Sequence, residues 1–311
     1  MKGDFERYLS AKATVDDRAL DRDVLGRFRA DLRGRADPHI LEAGAGTAAF
    51  CRRFLSWDDR PDCTYVAVDT DPALLATARE EILDTARAMG FEAVLVDPAE
   101  PGFDVDFDVD VAGGTPVATI RLSGPAHVDV HLVTGDALTV ASQGRWDALV
   151  AQAFVDLLSP ADVERLVSGV AADSLVYFPI TFDGGTAFAP SHPADDAVLD
   201  AYHATMVGAD GHRLGARAGR RLRTLLPDLG VDLVAVGDAD WTVDPTANGY
   251  PADEAYFLDV VVDTVADAVR GRVPDETVDA WLAARREQRK AGELGFVARN
   301  LDLYGRRRER E

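Results

Sequence analysis

The stretch HILEAGAGTAAF, His39 to Phe50, constrains this chain more than any other. It reads as a buried strand that breaks into a glycine-rich turn and then opens a helix, an arrangement that lets backbone approach a nucleotide closely. Two ligand readings share these residues. Gly44, Gly46 and Ala49 satisfy G-x-G-x-x-G/A, the dinucleotide fingerprint, and Asp69 follows Ala49 by 20 residues, where a ribose-binding acid belongs. Read from Glu42, the same residues give acid-x-G-x-G, which suits a nucleoside that carries no phosphate.

Beyond the turn, strand and helix patterns alternate. "TYVAVD" reads as a second strand, "PALLATAREEILDTARAMG" as a helix with Pro72 at its start and Gly90 at its stop, and "VDVHLVTGD", "WDALVAQA" and "SLVYFPITF" as three further strands. Such alternation predicts an α/β fold, a mostly parallel sheet with helices on both faces. Residues 1–37 read as an N-terminal helical extension and 38–311 as one domain with three inserts. The first insert, 98–125, joins "FDVDFDVDV" to "GGTPVATIRL" around a Gly-Gly and reads as an acidic β-hairpin, its carboxylates on one solvated face. The second, 184–215, rich in Gly, Ala, Pro and His, reads as a loop or lid. The third, 252–291, reads as helical and precedes a last strand, "LGFVARNLDLYG".

Charge narrows the partners. The formal net charge is −21, with 41 Asp against 13 Glu, and Lys occurs only at positions 2, 12 and 290. Such self-repulsion keeps a protein soluble in high salt, so a halophilic, salt-adapted cytoplasmic setting is expected. The same charge argues against nucleic acid, whose phosphates need a basic face. The C-terminal run "GRRRER" reads as a solvated tail end. The N-terminus has no apolar signal core and no run approaches the length of a membrane span, so no membrane partner is expected. Cys51 and Cys63, without a local histidine, suggest neither a disulfide framework nor a metal site.

The two ligand readings separate at the strand tips. S-adenosyl-L-methionine (SAM) offers an amino acid end, a ribose, an adenine and a sulfonium cation, and no phosphate. Glu42 at the end of the first strand would place negative charge near the cationic groups, and Asp69 at the end of the second could accept from both ribose hydroxyls. Asp136 in "VTGDAL" could accept from the adenine amino group. All these residues fall at carboxyl ends of neighbouring strands, where open α/β sheets bind ligands.

The ordered series "LEAGAGT", "YVAVDTDPALLATARE", "VTGDAL" and "WDALVAQAFVDLL" resembles the motifs of class I (Rossmann-like) SAM-dependent methyltransferases, over roughly residues 38–183; the acidic composition resembles that of a haloarchaeal member. The resemblance implies a seven-stranded sheet whose last strand is antiparallel and inserts beside the fifth, with "LVAVGDADW" supplying the sixth. It implies SAM as cofactor, held by Glu42, Gly44, Ala45, Gly46, Asp69, Thr70, Asp136, Ala137 and Gln152, with Ala153 and Phe154 alongside. Two departures stand out. The usual third glycine is Ala48, and the gap from Asp69 to Asp136 is long, an excess assigned to the acidic hairpin.

Methyl transfer from a sulfonium requires in-line positioning and, for a protonated acceptor, a base. Asp156, Asp183 and His203 are the candidates, each with a plainer reading: Asp156 as a helix cap, Asp183 as a turn residue, His203 as a surface histidine. Tyr202 adjoins the histidine; Trp241 and Tyr250 read as packing aromatics. Lys12 and Arg18 read as a solvated helix face, with binding of the cofactor carboxylate as the other reading. The expected product of these readings is a methyltransferase for a small-molecule acceptor, monomeric or homodimeric. An NAD(P)-dependent oxidoreductase and a non-catalytic SAM-binding module are the alternatives.

Overall fold

The computed structural model describes residues 2–96, 114–143, 145–208 and 211–309, with no account of the side chains of 2–4. Two helices, α1 (Lys2–Ala19) and α2 (Arg22–Arg33), lead into β1 (His39–Ala43), α3 (Ala49–Leu55), β2 (Cys63–Asp69), α4 (Pro72–Ala88), β3 (Glu92–Val96) and β4 (Gly114–Ser123). β5 (Val128–Gly135), α5 (Ala137–Gln143), β6 (Ala148–Val150), α6 (Pro160–Ser168), β7 (Leu175–Ala189) and α7 (Asp195–Thr205) follow. The chain ends with α8 (Ala218–Asp228), β8 (Val231–Asp238), β9 (Trp241–Val243), α9 (Glu254–Val269), α10 (Asp275–Lys290) and β10 (Gly295–Arg307).

Local chemistry sets the boundaries. Asp21 caps α2 by accepting from the amides of Asp23 and Val24, and Val24, Phe28 and Leu32 then fall on one buried stripe. Asp71 caps α4 ahead of Pro72, and Ser159 with Asp162 forms a reciprocal capping box on α6.

Among the described residues ten strands form one sheet in the order β3-β4-β5-β2-β1-β6-β7-β10-β8, with β9 beside β10. β5, β2, β1, β6 and β7 are mutually parallel. β10 runs antiparallel to both β7 and β8 and lies between them. The expected last strand therefore inserts beside the fifth, and the sheet gains β3, β4 and β9 beyond the seven. Side-chain alternation along β1 divides the core: Ile40 packs with α2, α3 and α4 on one face, while Leu41 and Ala43 pack with α5, α6 and α8 on the other. A third cluster joins α1, α7, α9 and α10 to β9 and the start of β10.

Several expectations change. Of the acidic hairpin, 114–123 is strand β4, paired antiparallel with β3 and β5, while "FDVDFDVDV" lies outside the described residues. Part of the 184–215 segment is regular structure rather than loop. β7 continues to Ala189 because Thr186–Ala189 pair with Gly295–Ala298 of β10, and α7 then buries Val198 and Leu199. Its Gly- and Ala-rich composition hid a strand held by its distant partner. The 252–291 segment is helical as expected, broken at Gly271 (φ +75°) between α9 and α10. In the C-terminal run, Arg307 ends β10 buried rather than in a solvated tail. No helix of the described residues is long and apolar enough to cross a membrane.

Candidate functional site

The glycine turn hangs from β2. The Ala45 amide donates to the Val68 carbonyl at 2.9 Å and the Gly46 amide to Asp69 Oδ2 at 2.8 Å. Gly44 (φ +68°) and Gly46 (φ +56°) occupy the left-handed region that glycine adopts without strain. A Cβ on Gly44 would stand 2.3 Å from the Phe154 ring, and one on Gly46 would stand 3.3 Å from Leu9 of α1. The turn is thus enclosed by the segment after β6 on one side and by α1 on the other.

Asp69 Oδ1 accepts the Asp71 amide at 2.9 Å, so each carboxylate oxygen takes one backbone N–H and retains a lone pair. Two acceptors matched to two vicinal hydroxyls suit a ribose. Thr70 beside it is exposed. Thr134, in register with Asp69 on β5, carries a buried hydroxyl with no hydrogen-bond partner among the described residues. Two residues on, Asp136 opens α5, accepting from the Leu138 amide at 3.2 Å and the Thr139 hydroxyl at 2.7 Å; it is exposed, while Ala137 is buried beneath it. Asp69 and Asp136 therefore sit at the tips of adjacent parallel strands.

Glu42 does not join them. Its side chain shares the Ile40 face of β1 and turns inward, accepting from the Tyr65 hydroxyl at 2.8 Å and from the Phe50 and Cys51 amides. Those amides belong to the first turn of α3, whose capping position is Ala48 in a left-handed conformation (φ 54°) with no side-chain cap. Glu42 supplies that cap from beneath. Burial pushes its carboxyl up to about 7, against the opposing pull of these hydrogen bonds.

Gln152 is also engaged. Its Oε1 accepts from Arg53 at 3.0 Å and its Nε2 donates to Asp16 Oδ2 at 3.2 Å. Asp16, buried on α1, holds Lys12 at 2.8 Å and accepts the Trp241 indole N–H at 2.9 Å. Lys12 is accordingly buried rather than on a solvated face, and it lies 5.0 Å above the Trp241 ring. Arg18 pairs with the fully buried Glu254 of α9. This network, Arg53–Gln152–Asp16–Lys12 with Trp241, fastens α1 across the carboxyl end of the sheet. Sequence reading missed Asp16, because its burial depends on a tryptophan more than 200 residues away.

Under α1, α7 and α9 lies a cavity of about 510 Å³. Tyr8, Asp156, Phe182, Tyr202, Trp241 and Asn300 are among its walls. Asp156 lies close to Tyr8 and Tyr202, and no side chain of the described residues hydrogen-bonds or ion-pairs with its carboxylate; burial raises its proton affinity, tempered by the charges of Lys12 and Arg213. Two other wall residues are strained: Ala153 (φ 49°) and the β-branched Ile180 (φ 55°). Asp302 stabilises the second, its Oδ1 accepting the Ile180 amide at 2.8 Å while its Oδ2 takes the Tyr177 hydroxyl.

The other two base candidates stand apart from this cavity. Asp183 accepts the Arg220 amide at 2.6 Å and its guanidinium at 3.0 and 3.1 Å, closing the start of α8. His203 shares a hydrogen bond of 2.9 Å with Thr186; burial lowers its proton affinity, and it faces a different groove.

Five parallel strands, an antiparallel last strand beside the fifth, and a glycine turn after the first are now all in place. The fold is a Rossmann-like α/β sheet with the strand order that the sequence resemblance implied. No protein-family model matches the sequence, and no curated protein does. Among solved structures the chain is similar to a Bacillus halodurans protein of provisional methyltransferase assignment, at 12% identity and TM-score 0.47, covering 92% of this chain and 99% of that one. It is also similar to SAM-dependent methyltransferases in complex with S-adenosyl-L-homocysteine from Thiobacillus denitrificans, at 16% identity and TM-score 0.43 over 93% of each chain, and Geobacter sulfurreducens, at 14% and 0.42 over 93% and 92%. The fold itself is read from the strand order of this chain.

Proposed function

We propose that this protein is a SAM-dependent methyltransferase acting on a small molecule that enters the cavity beside Asp156. One observation carries the choice of cofactor. A dinucleotide pyrophosphate needs the free amides at the start of the helix after the glycine turn. Here the Phe50 and Cys51 amides are already given, from the buried side, to Glu42, which leaves them no hydrogen to offer a phosphate. A ligand without phosphate meets no such conflict, and the acceptors it does need stand ready at Asp69 and Asp136.

When bound, SAM would supply a methyl group on a sulfonium. The chain's own residues supply the rest. The Gly44–Gly46 turn admits the amino acid end, Asp69 the ribose, and Asp136 the adenine amino group. The cavity size falls within the range of small-molecule pockets, and its aromatic walls suit a reaction kept from water. Asp156 accepts the proton of the attacking group, a role that its raised proton affinity suits. That polar group inside an apolar cavity favours an enzyme over a non-catalytic module. The acidic surface is read as adaptation to a salt-rich cytoplasm.

Calorimetric titration of the purified protein with SAM, S-adenosylhomocysteine and NADH tests the reading. The two sulfur compounds are expected to bind and NADH is not. Binding of NADH alone overturns it.

A further inference from the structure

A second recess of about 830 Å³ opens on the other side of the Thr186–His203 hydrogen bond. Arg217, Arg220, Arg221 and Arg299 line it, together with His203; Asp200 is the one acid among its walls in the described residues. The sequence around it is equally unusual for a chain of net charge −21. Residues 213–223 hold five arginines, and no acid occurs from 211 to 227.

The recess is shaped by fixed groups. Gly184 (φ +75°) and Gly185 (φ +95°) turn β7 outward at an irregularity in its pairing with β10. A Cβ on Gly185 would stand 3.0 Å from the Arg299 side chain, so only glycine leaves that side chain its place. Asp183 holds the Arg220 guanidinium, and the Leu214 carbonyl accepts from Arg221 Nη1 at 3.1 Å. Arg299 keeps a looser partner, Asp240 at 3.5 Å. Among the described residues no carboxylate pairs with Arg217 or with Arg221, although acids outnumber bases by 54 to 33 in the chain.

We infer that this recess binds a compact diphosphate-bearing ligand, inorganic pyrophosphate or a nucleoside diphosphate. Guanidinium forks from two elements match phosphate oxygens bidentately, and two are already oriented by the protein. Arg217 and Arg221, which no carboxylate of the described residues pairs with, are matched by a ligand with more than one negative charge. An extended polyanion such as RNA would run beyond the recess onto a strongly acidic surface and be repelled there, whereas a compact anion is not. The inference does not rest on methyl transfer.

Calorimetric titration of the full chain at low ionic strength, with and without saturating S-adenosylhomocysteine, tests it with pyrophosphate, ADP and a short single-stranded RNA as probes. Pyrophosphate and ADP are expected to bind in both conditions and more tightly than RNA. Equal affinities assign the diphosphate alone, and tighter ADP assigns the nucleoside diphosphate. The Arg217→Ala/Arg299→Ala variant is expected to weaken pyrophosphate at least about tenfold while its melting temperature and its S-adenosylhomocysteine titration stay unchanged. Should the double variant unfold, Arg217→Glu, at an exposed position, is expected to show the same loss. Absence of pyrophosphate binding, unchanged affinity in a folded variant, or tighter binding of RNA overturns the inference. A missing S-adenosylhomocysteine signal bears on the cofactor alone.

Discussion

The Phe154 ring lies against Gly44 so closely that a Cβ there would come within 2.3 Å of it. The residue after the fourth parallel strand thus fixes the identity of the residue after the first. Gly44→Ala combines this clash with a left-handed backbone, for a joint cost of about 3 kcal/mol or more. At Gly46 the obstacle is the movable end of Leu9, 3.3 Å away, so Gly46→Ala carries chiefly the backbone cost, about 1–2 kcal/mol. Denaturant unfolding of both variants should rank Gly44→Ala as the more damaging; the reverse order would show that Phe154 swings aside.

Under the proposed function, Asp69 bears on the ligand more than on the fold. Its loss removes two acceptors for ribose hydroxyls and frees the Gly46 amide that it now positions. Hydrogen bonds to a charged acceptor contribute about 1.5–3 kcal/mol each, so Asp69→Ala should weaken S-adenosylhomocysteine roughly ten- to a hundredfold. Asp69→Asn, which keeps one oxygen, should fall between. An unchanged titration curve for the alanine variant removes Asp69 from the site.

The positions of Gly44 and Asp69 were legible because they are local: a glycine turn at a strand end, and an acid at the next tip. The tilt of Glu42 away from the ligand was readable as well, since alternation along β1 places it on the face of Ile40. Asp16 and Lys12 could not be found that way. Nothing near them in sequence marks them as buried, and their environment is assembled by Trp241 and Gln152. The strand over 186–189 escaped for the same reason, its partner being β10 more than 100 residues on. Arg217, Arg220 and Arg221 stand close together in the sequence, but only folding sets them around one recess with Arg299.

Asp156 sets stability against activity. A half-buried carboxylate without a side-chain partner among the described residues is costly, and a neutral isostere relieves the cost. Asp156→Asn should therefore raise the unfolding free energy by about 1 kcal/mol. With an acceptor in hand, the same variant should lower kcat by about a hundredfold or more while leaving the affinity for S-adenosylhomocysteine intact. Wild-type kcat should rise with pH through a single ionisation lying above the ordinary carboxylate range. A variant less stable than wild type, or equally active, would show that Asp156 is structural.

Glu42 makes the stability of the fold depend on pH. Its carboxyl sits at about 7 in the folded protein against 4.5 ordinarily, because burial disfavours the charge more than Tyr65 and the α3 amides favour it. A carboxyl raised in this way contributes its full share while protonated, below the ordinary value, and loses that share as pH climbs through about 7. The shift corresponds to about 3 kcal/mol between the two limits. Glu42→Gln keeps an oxygen for the amides and carries no charge at any pH. The variant's unfolding free energy relative to wild type should therefore grow as pH rises from about 5 to about 8 and level off above. Asp302, also raised to about 7 by burial, has the same effect in both proteins and cancels from the difference. Denaturant titrations of the pair at matched salt measure that difference directly. A difference that stays flat across the range would mean that Glu42 is ionised throughout and that its partners beneath α3 outweigh its burial.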